Sequence, residues 1–452
     1  MHTSMQNIFI FKLFTALFIS PILLAQVQRP PIGQLGELEE GSSINIQLVG
    51  RFQNYNEKVE NSRDVYDTEI YSPKSVKFHP NNHKVYVNSL EGFKTIVYSL
   101  DKGEWAPRKI KSIYHKFGKT TLPLFQDLTT VFNYPFYSES PGKNPNFFKG
   151  KPVEMAFSHA GRYLWVTYYR RDYDSYAQSP SAVAVIDTNT DEIVRVIPTG
   201  PIPKIVVVSE EKGLAAIVHW GDNTVGVLDI SSDNPNEFQY IYHLMKNRPM
   251  SQEGLEGTNR DRTCGFCLRG ASFLPQSNLL LVGEMRGGDI LGFDIEDGKY
   301  LGSFEGVPAT VRHMDVARKR DELIISSNYL GFVSMFSIPR ILSFFNMLKA
   351  PHGVMEPDKT LSLGRGARTV AISPSEDIAV LALNNKSQLV TVDLESFTIL
   401  NRVMVNSYPV GLGFSPSGKY VWSTSQGKSG KGGNSVNIFE LFNIESESLV
   451  LR

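Results

Sequence analysis

The chain repeats one alternation of apolar and polar positions seven times. Most copies begin with a proline or small residue, continue with a second residue that is often basic, and then alternate apolar positions through a tight turn into a second apolar run. A period of two predicts half-buried β-strands, and the Pro, Asn, Gly, Ser and Asp residues between the runs favour turns. The copies begin at positions 73, 152, 203, 268, 311, 367 and 409.

Most copies continue into a third strand that ends in Asp, followed by a turn and a fourth strand. The examples are 181–200, 223–230, 289–304 and 387–403. Seven units of four strands predict an all-β fold: a seven-bladed β-propeller of four-stranded antiparallel blades over residues 43–445. The last copy lacks a fourth strand, whereas SSINIQLVGRF at 42–52 has strand character and no blade of its own. We expect this N-terminal strand to supply the missing outer strand and close the ring.

Three stretches carry a resemblance to a known family. VYVNS at 85–89, GDNTVGVLDI at 221–230 and AVAVIDTNTDEIVRVIPTGPIP at 182–203 resemble the YVTN-type β-propeller repeats of exported bacterial proteins. The resemblance covers roughly residues 43–443. It implies a seven-bladed propeller related to the lactonase-like propellers, and a periplasmic or cell-surface protein. It implies little about activity, because propellers host many unrelated functions.

The N-terminus has the layout of a secretory signal peptide. Lys12 precedes an apolar run from Leu13 to Leu24, and Ala25 follows as a small residue. A membrane anchor is the alternative, but twelve apolar residues are short for a span of about 20. We expect residues 1–25 to be removed and the protein to be exported to the periplasm, the cell surface or the medium, without a remaining transmembrane span.

The net charge of the chain argues against one class of partner, and two terminal segments lie outside the predicted propeller. The 46 basic and 46 acidic residues give a net charge of zero, which argues against nucleic-acid binding. Residues 26–42 are expected to form a linker and 446–452 a tail, and we expect a monomer.

Extra chain is expected to collect on one face of the propeller. The intervals between copies leave insertions at 101–151, 231–267 and 338–366, each expected between the fourth strand of one blade and the next blade. The loops at 168–181 and 425–434 are also long. All these connections would meet on the top face, so we expect the top face to be the working surface. The aromatic-rich insertion 101–151 is expected to cap the channel or to form a partner surface.

The second position of the repeat is basic in five copies, although the protein as a whole is neutral. This position should lie near the channel mouth. Either loop carboxylates pair with these cations in an internal ion-pair belt, or an anionic ligand binds there. The five residues, which we call the basic ring, are Lys74, Lys204, Arg269, Arg312 and Arg368.

Loops after the second strands should reach the same mouth. Their polar and aromatic side chains suit a small polar or carbohydrate-like ligand, or a peptide. The predicted members are Asn88, Tyr168, Tyr169, Arg170, His219, Trp220, Glu284, Arg286, Asn328, Asn384 and Gln426.

The only two cysteines, Cys264 and Cys267, lie three positions apart just before Arg269. A c-type haem would need His at position 268, where Leu268 stands, and a zinc site would need two further ligands. A thioredoxin-like centre needs a helix N-terminus, whereas this context is strand and loop. A short disulfide that shapes the loop is favoured, and a redox function stays open.

No catalytic signature is present: the chain has no GxSxG, HExxH or P-loop motif. The leading hypothesis is a non-enzymatic propeller that binds a ligand or protein on its top face, possibly an anionic small molecule at the channel mouth. The alternatives are a lactonase-like hydrolase with a channel-centred site, or a redox partner. The hydrolase would use Glu284, His219 and His313 as acid–base candidates. No cofactor is predicted, although a divalent metal in the channel is possible.

Overall fold

Seven antiparallel sheets form a ring in the computed structural model. The structure describes residues 27–81, 83–104, 106–125, 144–247, 257–308, 310–347, 351–427 and 433–444. The expected signal peptide and C-terminal tail lie outside these residues. Within the ranges just given, no helix has the length and apolar character needed to cross a membrane.

Each blade has four strands, as predicted, and they follow one another from the channel to the outer edge in chain order, except that the outer strand of blade 7 comes from the N-terminus. The innermost strands are Pro73–Phe78, Gly150–Ser158, Pro203–Ser209, Leu268–Phe273, Val311–Ala317, Ala367–Ile372 and Pro409–Phe414. The second strands are Lys84–Ser89, Tyr163–Arg171, Leu214–His219, Leu279–Glu284, Glu322–Ser327, Ile378–Leu383 and Tyr420–Ser425. The third strands are Lys94–Ser99, Ser181–Asp187, Thr224–Asp229, Ile290–Asp294, Phe332–Ser337, Gln388–Asp393 and Ser435–Asn443. The outer strands are Arg108–Tyr114, Glu192–Thr199, Gln239–Leu244, Lys299–Glu305, Lys359–Ser362, Thr398–Met404 and Ile44–Gln53.

The core lies between the blades. Seven hydrophobic clusters fill the seven contacts between neighbouring blades. In the second strand of blade 4, Leu280 and Val282 face blade 3, whereas Leu279 and Leu281 face blade 5. Alternate residues of a strand point to opposite faces of its sheet. Because apolar residues occupy both the odd and the even positions of these strands, both faces of a blade are buried. This explains why no single blade is stable alone and why the ring must close.

The N-terminal strand closes the ring, which confirms the prediction. Ile44–Gln53 pairs antiparallel with Ser435–Asn443 and becomes the outer strand of blade 7. The expected linker 26–42 also contributes structure, because Glu37–Leu38 pairs with the outer strand of blade 6. A further strand, Asp64–Tyr66, runs parallel to the closing strand.

One of the three insertions differs from its expected position, and the other two are shorter than expected. Ranges 101–151 and 231–267 each contain the outer strand of their blade, so the irregular chain is shorter than the intervals suggested. Range 338–366 holds the outer strand of blade 5, a short strand His352–Val354 that pairs with blade 4, and the α-helix Ile338–Met347. This helix connects the third and fourth strands, so it lies at the end of the blade opposite the top face.

Two 3₁₀-helices of the described residues lie in the other insertions. They are Lys119–Leu124 and Pro235–Glu237. Around the first of them, Phe117, Phe125 and Phe148 pack into the cluster between blades 1 and 2. These three aromatic side chains therefore cover a blade contact. Residues 126–143, which belong to the insertion expected to cap the channel, lie outside the described chain.

Candidate functional site

A repeated irregularity in the innermost strands positions the basic ring. In all seven blades the register between the innermost and second strands shifts just after the first residues of the innermost strand. The shift falls between Pro203 and Ile205, for example, and leaves Lys204 without a partner residue in the ladder. A β-bulge changes the direction of the side chain on its extra residue. Here that extra residue is the second residue of the repeat.

The five side chains of the basic ring converge at the top of the channel. Burial lowers the pKa of Lys74 well below its ordinary value, and the positive charges of Arg368, Arg269 and Lys204 lower it further. Burial also lowers the pKa of Lys204 to about 7, which Asp261 opposes only in part. The pKa of Arg269 falls to about 10, again chiefly through burial. The ring is therefore a crowded, desolvated group of cations in a protein of zero net charge.

Two carboxylates neutralise part of this charge. Lys204 Nζ lies 2.9 Å from Asp261 Oδ1, and Arg269 Nη2 lies 3.3 Å from Glu154 Oε1. Burial acts to raise the pKa of Asp261, but Lys204 and the Tyr169 hydroxyl outweigh it, and the pKa is lowered. The internal ion-pair belt is thus present at two of the five positions.

The other three cations have neutral neighbours. Lys74 Nζ donates to Gln426 Oε1 at 3.3 Å, and Arg312 Nη1 lies 3.1 Å from Met285 Sδ. Arg368 has its guanidinium carbon 5.8 Å from the centre of the Tyr408 ring. Within the described part of the chain, none of these three side chains forms an ion pair. Three of the five basic side chains of the ring therefore have no carboxylate partner among the described residues.

Aromatic side chains flank the ring on the side of blades 2 and 3. The Nζ of Lys204 lies 4.2 Å from the centre of the Tyr169 ring and 5.1 Å from that of Trp220. Trp220 Nε1 donates to the backbone oxygen of Asp261 at 3.1 Å, and Arg170 lies over Tyr169 at 5.4 Å. These aromatic faces favour contact with cations and with flat or sugar-like groups.

The cysteine pair shapes the loop that leads into the ring. The sulfurs of Cys264 and Cys267 are at disulfide-bonding distance, with their Cα atoms 4.9 Å apart. The backbone N–H of Cys267 donates to Asn223 Oδ1 at 3.0 Å, and Arg269 follows two residues later. Each cysteine is only 1% exposed. A buried pair fits the predicted loop-shaping disulfide and is poorly placed for exchange with a partner thiol.

A cavity of about 470 Å³ lies in the channel next to the ring. The innermost strands line it, and its polar side chains include Lys77, Glu154, His313 and Asp315. Burial, together with the positive charges of Lys77 and the ring arginines, lowers the pKa of His313 to about 3. The His313 imidazole is therefore neutral at ordinary pH.

The three acid–base candidates occupy separate environments. Glu284 accepts a hydrogen bond from Lys246 at 3.3 Å, and burial raises its pKa. His219 is fully buried and shares a 2.9 Å hydrogen bond with Thr224 Oγ1. His313 lines the cavity. His219, Glu284 and His313 lie on strands of three different blades.

The remaining predicted loop residues mostly bond to the backbone. Arg286 donates to the Arg262 carbonyl at 3.0 Å, and Asn328 donates to the Ala367 carbonyl at 3.4 Å. The backbone N–H of Asn384 donates to the Gly366 carbonyl at 3.0 Å. Nearer the channel, Asn88 donates to Ser75 and to the Val153 carbonyl, and Tyr168 bonds His115. Most of the predicted polar set therefore holds loops in place.

Sequence reasoning missed both carboxylates of the ring. Glu154 occupies the third position of its repeat, directly after Val153, so alignment of the copies contained the signal. Asp261 lies in an insertion without periodicity, so no sequence signal pointed to it. Met285 and Tyr408 were missed for a related reason, because their contacts come from neighbouring blades.

Comparisons with known proteins do not extend the assignment. No protein-family model matches the chain, and no curated protein matches it closely enough to count as a relative. The seven-bladed propeller therefore rests on the repeat pattern and on the structure itself.

Proposed function

We propose that this protein is a non-enzymatic propeller that binds an anionic small molecule at the basic ring. The observation that carries the proposal is that three buried basic side chains, Lys74, Arg312 and Arg368, have no carboxylate partner among the described residues. Keeping such charges away from water is costly unless they are paired. A bound anion would pair them, and it would raise the lowered pKa values toward their ordinary range.

The ring favours carboxylate or phosphate groups. Arginine presents a planar fork of N–H donors that binds these oxyanions in a bidentate manner. Arg312 Nε is buried and has no hydrogen-bond partner among the described residues, so it can donate to an anion. Tyr169 and Trp220 would contact a flat or sugar-like part of the ligand, and the adjoining cavity would receive a small extension.

The expected location belongs to the same proposal. The apolar N-terminal segment and the resemblance to YVTN-type repeats support export to the periplasm, the cell surface or the medium. The cysteine pair at disulfide-bonding distance supports an oxidising compartment. We expect a monomer, because the seven blades bury their apolar faces against each other.

Calorimetric titration of the mature chain tests the proposal. The probes are inorganic phosphate, sulfate and citrate at constant ionic strength, with glucose as an uncharged control. Arg312→Met removes an unpaired charge at similar length. We expect at least tenfold weaker anion binding, since a charge-assisted hydrogen bond contributes about 1.5–3 kcal/mol. We also expect a higher melting temperature without anion, because a buried unpaired cation has been removed.

The matched control is Arg286→Met, which removes an arginine that bonds the Arg262 carbonyl outside the ring. It should leave anion binding unchanged. Equal loss in both variants would indicate a general electrostatic effect, and saturable binding of none of the three anions would contradict the proposal. Binding of a protein to the top face that is unaffected by Arg312→Met would favour the partner-surface alternative.

A further inference from the structure

Three potential metal ligands meet inside blade 3, away from the basic ring. His219 ends the second strand, Asp222 lies in the following turn, and His243 lies on the outer strand opposite Gly226. One ligand atom from each of these side chains lies within 4.8 Å of the other two. His219 and Asp222 are fully buried, whereas His243 is half-buried. The pattern pairs two imidazoles with one carboxylate, the donors that divalent transition metals prefer.

Hydrogen bonds from Thr224 orient two of these ligands. Its backbone N–H and its hydroxyl both donate to Asp222 Oδ1, at 3.3 and 2.9 Å. Because the hydroxyl has one proton and gives it to the carboxylate, its oxygen accepts from His219 Nδ1 at 2.9 Å. The proton of the imidazole is then on Nδ1, and Nε2 carries the lone pair. Metal-binding histidines typically donate their second ring N–H in this way.

The carboxylate has one oxygen available. Asp222 Oδ2 is buried and has no hydrogen-bond partner among the described residues. A buried carboxylate oxygen without a donor is unusual in a folded protein and requires an explanation. A cation at this position would supply it.

We propose that His219 Nε2, Asp222 Oδ2 and an imidazole nitrogen of His243 bind one divalent transition metal, with zinc as the best fit. Three protein ligands leave the fourth position of a tetrahedral zinc open to water. Bonds of about 2.0–2.2 Å place such ligands about 3.4 Å apart, so ligand atoms that lie within 4.8 Å of one another must approach by up to about 1.4 Å. Of the three side chains, His243 is the least buried. Arg260 places an opposing positive charge near Asp222, which the metal must outweigh.

Packing fixes the deeper histidine and separates this site from the ring. A Cβ at Gly200 would lie 2.6 Å from His219 Nδ1, so only glycine allows the imidazole its position. The next residue, Trp220, points toward Asp261 and the ring. The side chains of His219 and Trp220 therefore take part in different clusters. The metal proposal does not depend on the anion proposal.

The test uses untagged, chelator-treated full chain with its cysteines as they occur. Zn²⁺ is titrated by calorimetry, and metal content is measured by elemental mass spectrometry after desalting. Co²⁺ serves as a spectroscopic probe, because coordination by nitrogen and oxygen in a tetrahedral site gives strong visible absorption. We expect one equivalent of metal per chain, the Co²⁺ spectrum, and a rise in melting temperature with added Zn²⁺.

Variants separate this site from adventitious binding. His243→Gln, at a half-buried position, and Asp222→Asn should each weaken Zn²⁺ binding at least tenfold and abolish the Co²⁺ spectrum. The control His159→Gln removes a histidine that bonds Ser158 and the Ser232 carbonyl elsewhere in the chain, and it should bind like the wild type. Absence of stoichiometric binding by the wild type overturns the proposal. Undiminished binding by His243→Gln also overturns it, and neither outcome depends on Asp222→Asn folding.

Discussion

The low pKa of Lys204 predicts an unusual dependence of stability on pH. Burial lowers this pKa from 10.5 to about 7, although Asp261 lies 2.9 Å away. Between these two pH values the unfolded chain binds a proton that the folded chain does not. Stability must therefore rise as the pH increases from 7 toward 10.5. Below pH 7 both states bind the proton, and the contribution to the slope disappears.

The size of the effect follows from the two pKa values. One pH unit corresponds to about 1.36 kcal/mol where the two states differ by a full proton. With a folded pKa of about 7, the free energy of unfolding should rise by about 2 kcal/mol between pH 7 and pH 9. The side chain of Lys204 is only 12% exposed, so solvent screening reduces this value little.

Lys204→Met removes the titrating group at nearly the same length. Denaturant unfolding of wild type and variant at pH 6, 7, 8 and 9 measures the difference between their slopes. We expect the rise of about 2 kcal/mol in the wild type relative to the variant. Lys299→Met is the control, because Lys299 is exposed and pairs with Asp297 at the surface. Parallel curves for wild type and Lys204→Met would refute the reasoning that the ring is desolvated and crowded with positive charge.

Three further changes test the fold and the loop. Phe52→Ala should lower the free energy of unfolding by about 3–5 kcal/mol, because Phe52 of the closing strand packs 6.2 Å from Trp422; a loss below about 1 kcal/mol in urea unfolding would contradict this. Gly292→Val should cost about 1–3 kcal/mol, because a Cβ at Gly292 would lie 2.4 Å from the ring of Phe345 in the helix; an unchanged melting temperature would argue against this packing. Cys264→Ser should cost only about 2 kcal/mol, because the disulfide closes a short loop, yet weaken phosphate binding in calorimetry; unchanged binding would show that the loop does not position the basic ring.

The basic ring shows which parts of a site can be predicted by aligning sequence repeats. Alignment of the seven copies placed Lys204, Arg269 and Arg312 at one repeat position, and the structure brings them to one end of the channel. The prediction worked because the same β-bulge recurs in every blade, so equal repeat positions have equal surroundings. The alternatives left open by the sequence, a belt of ion pairs or a ligand site, depended on how many carboxylates arrive from elsewhere. Only Glu154 and Asp261 do so in the described residues.

The number of blades and the cysteine pair were predictable from the sequence, because they depend on local periodicity and on a short separation along the chain. The closing strand was predictable for another reason: the last copy lacks a fourth strand, and 42–52 has strand character without a blade of its own. The position of the helix Ile338–Met347 and the meeting of His219, Asp222 and His243 are visible only in the folded chain. The helix lies opposite the ring because it connects the third and outer strands of its blade, and the sequence did not show where that outer strand begins. The three potential ligands meet because strand pairing in blade 3 sets the second and outer strands on either side of the third, and the periodicity of apolar positions does not specify which polar side chains then face each other.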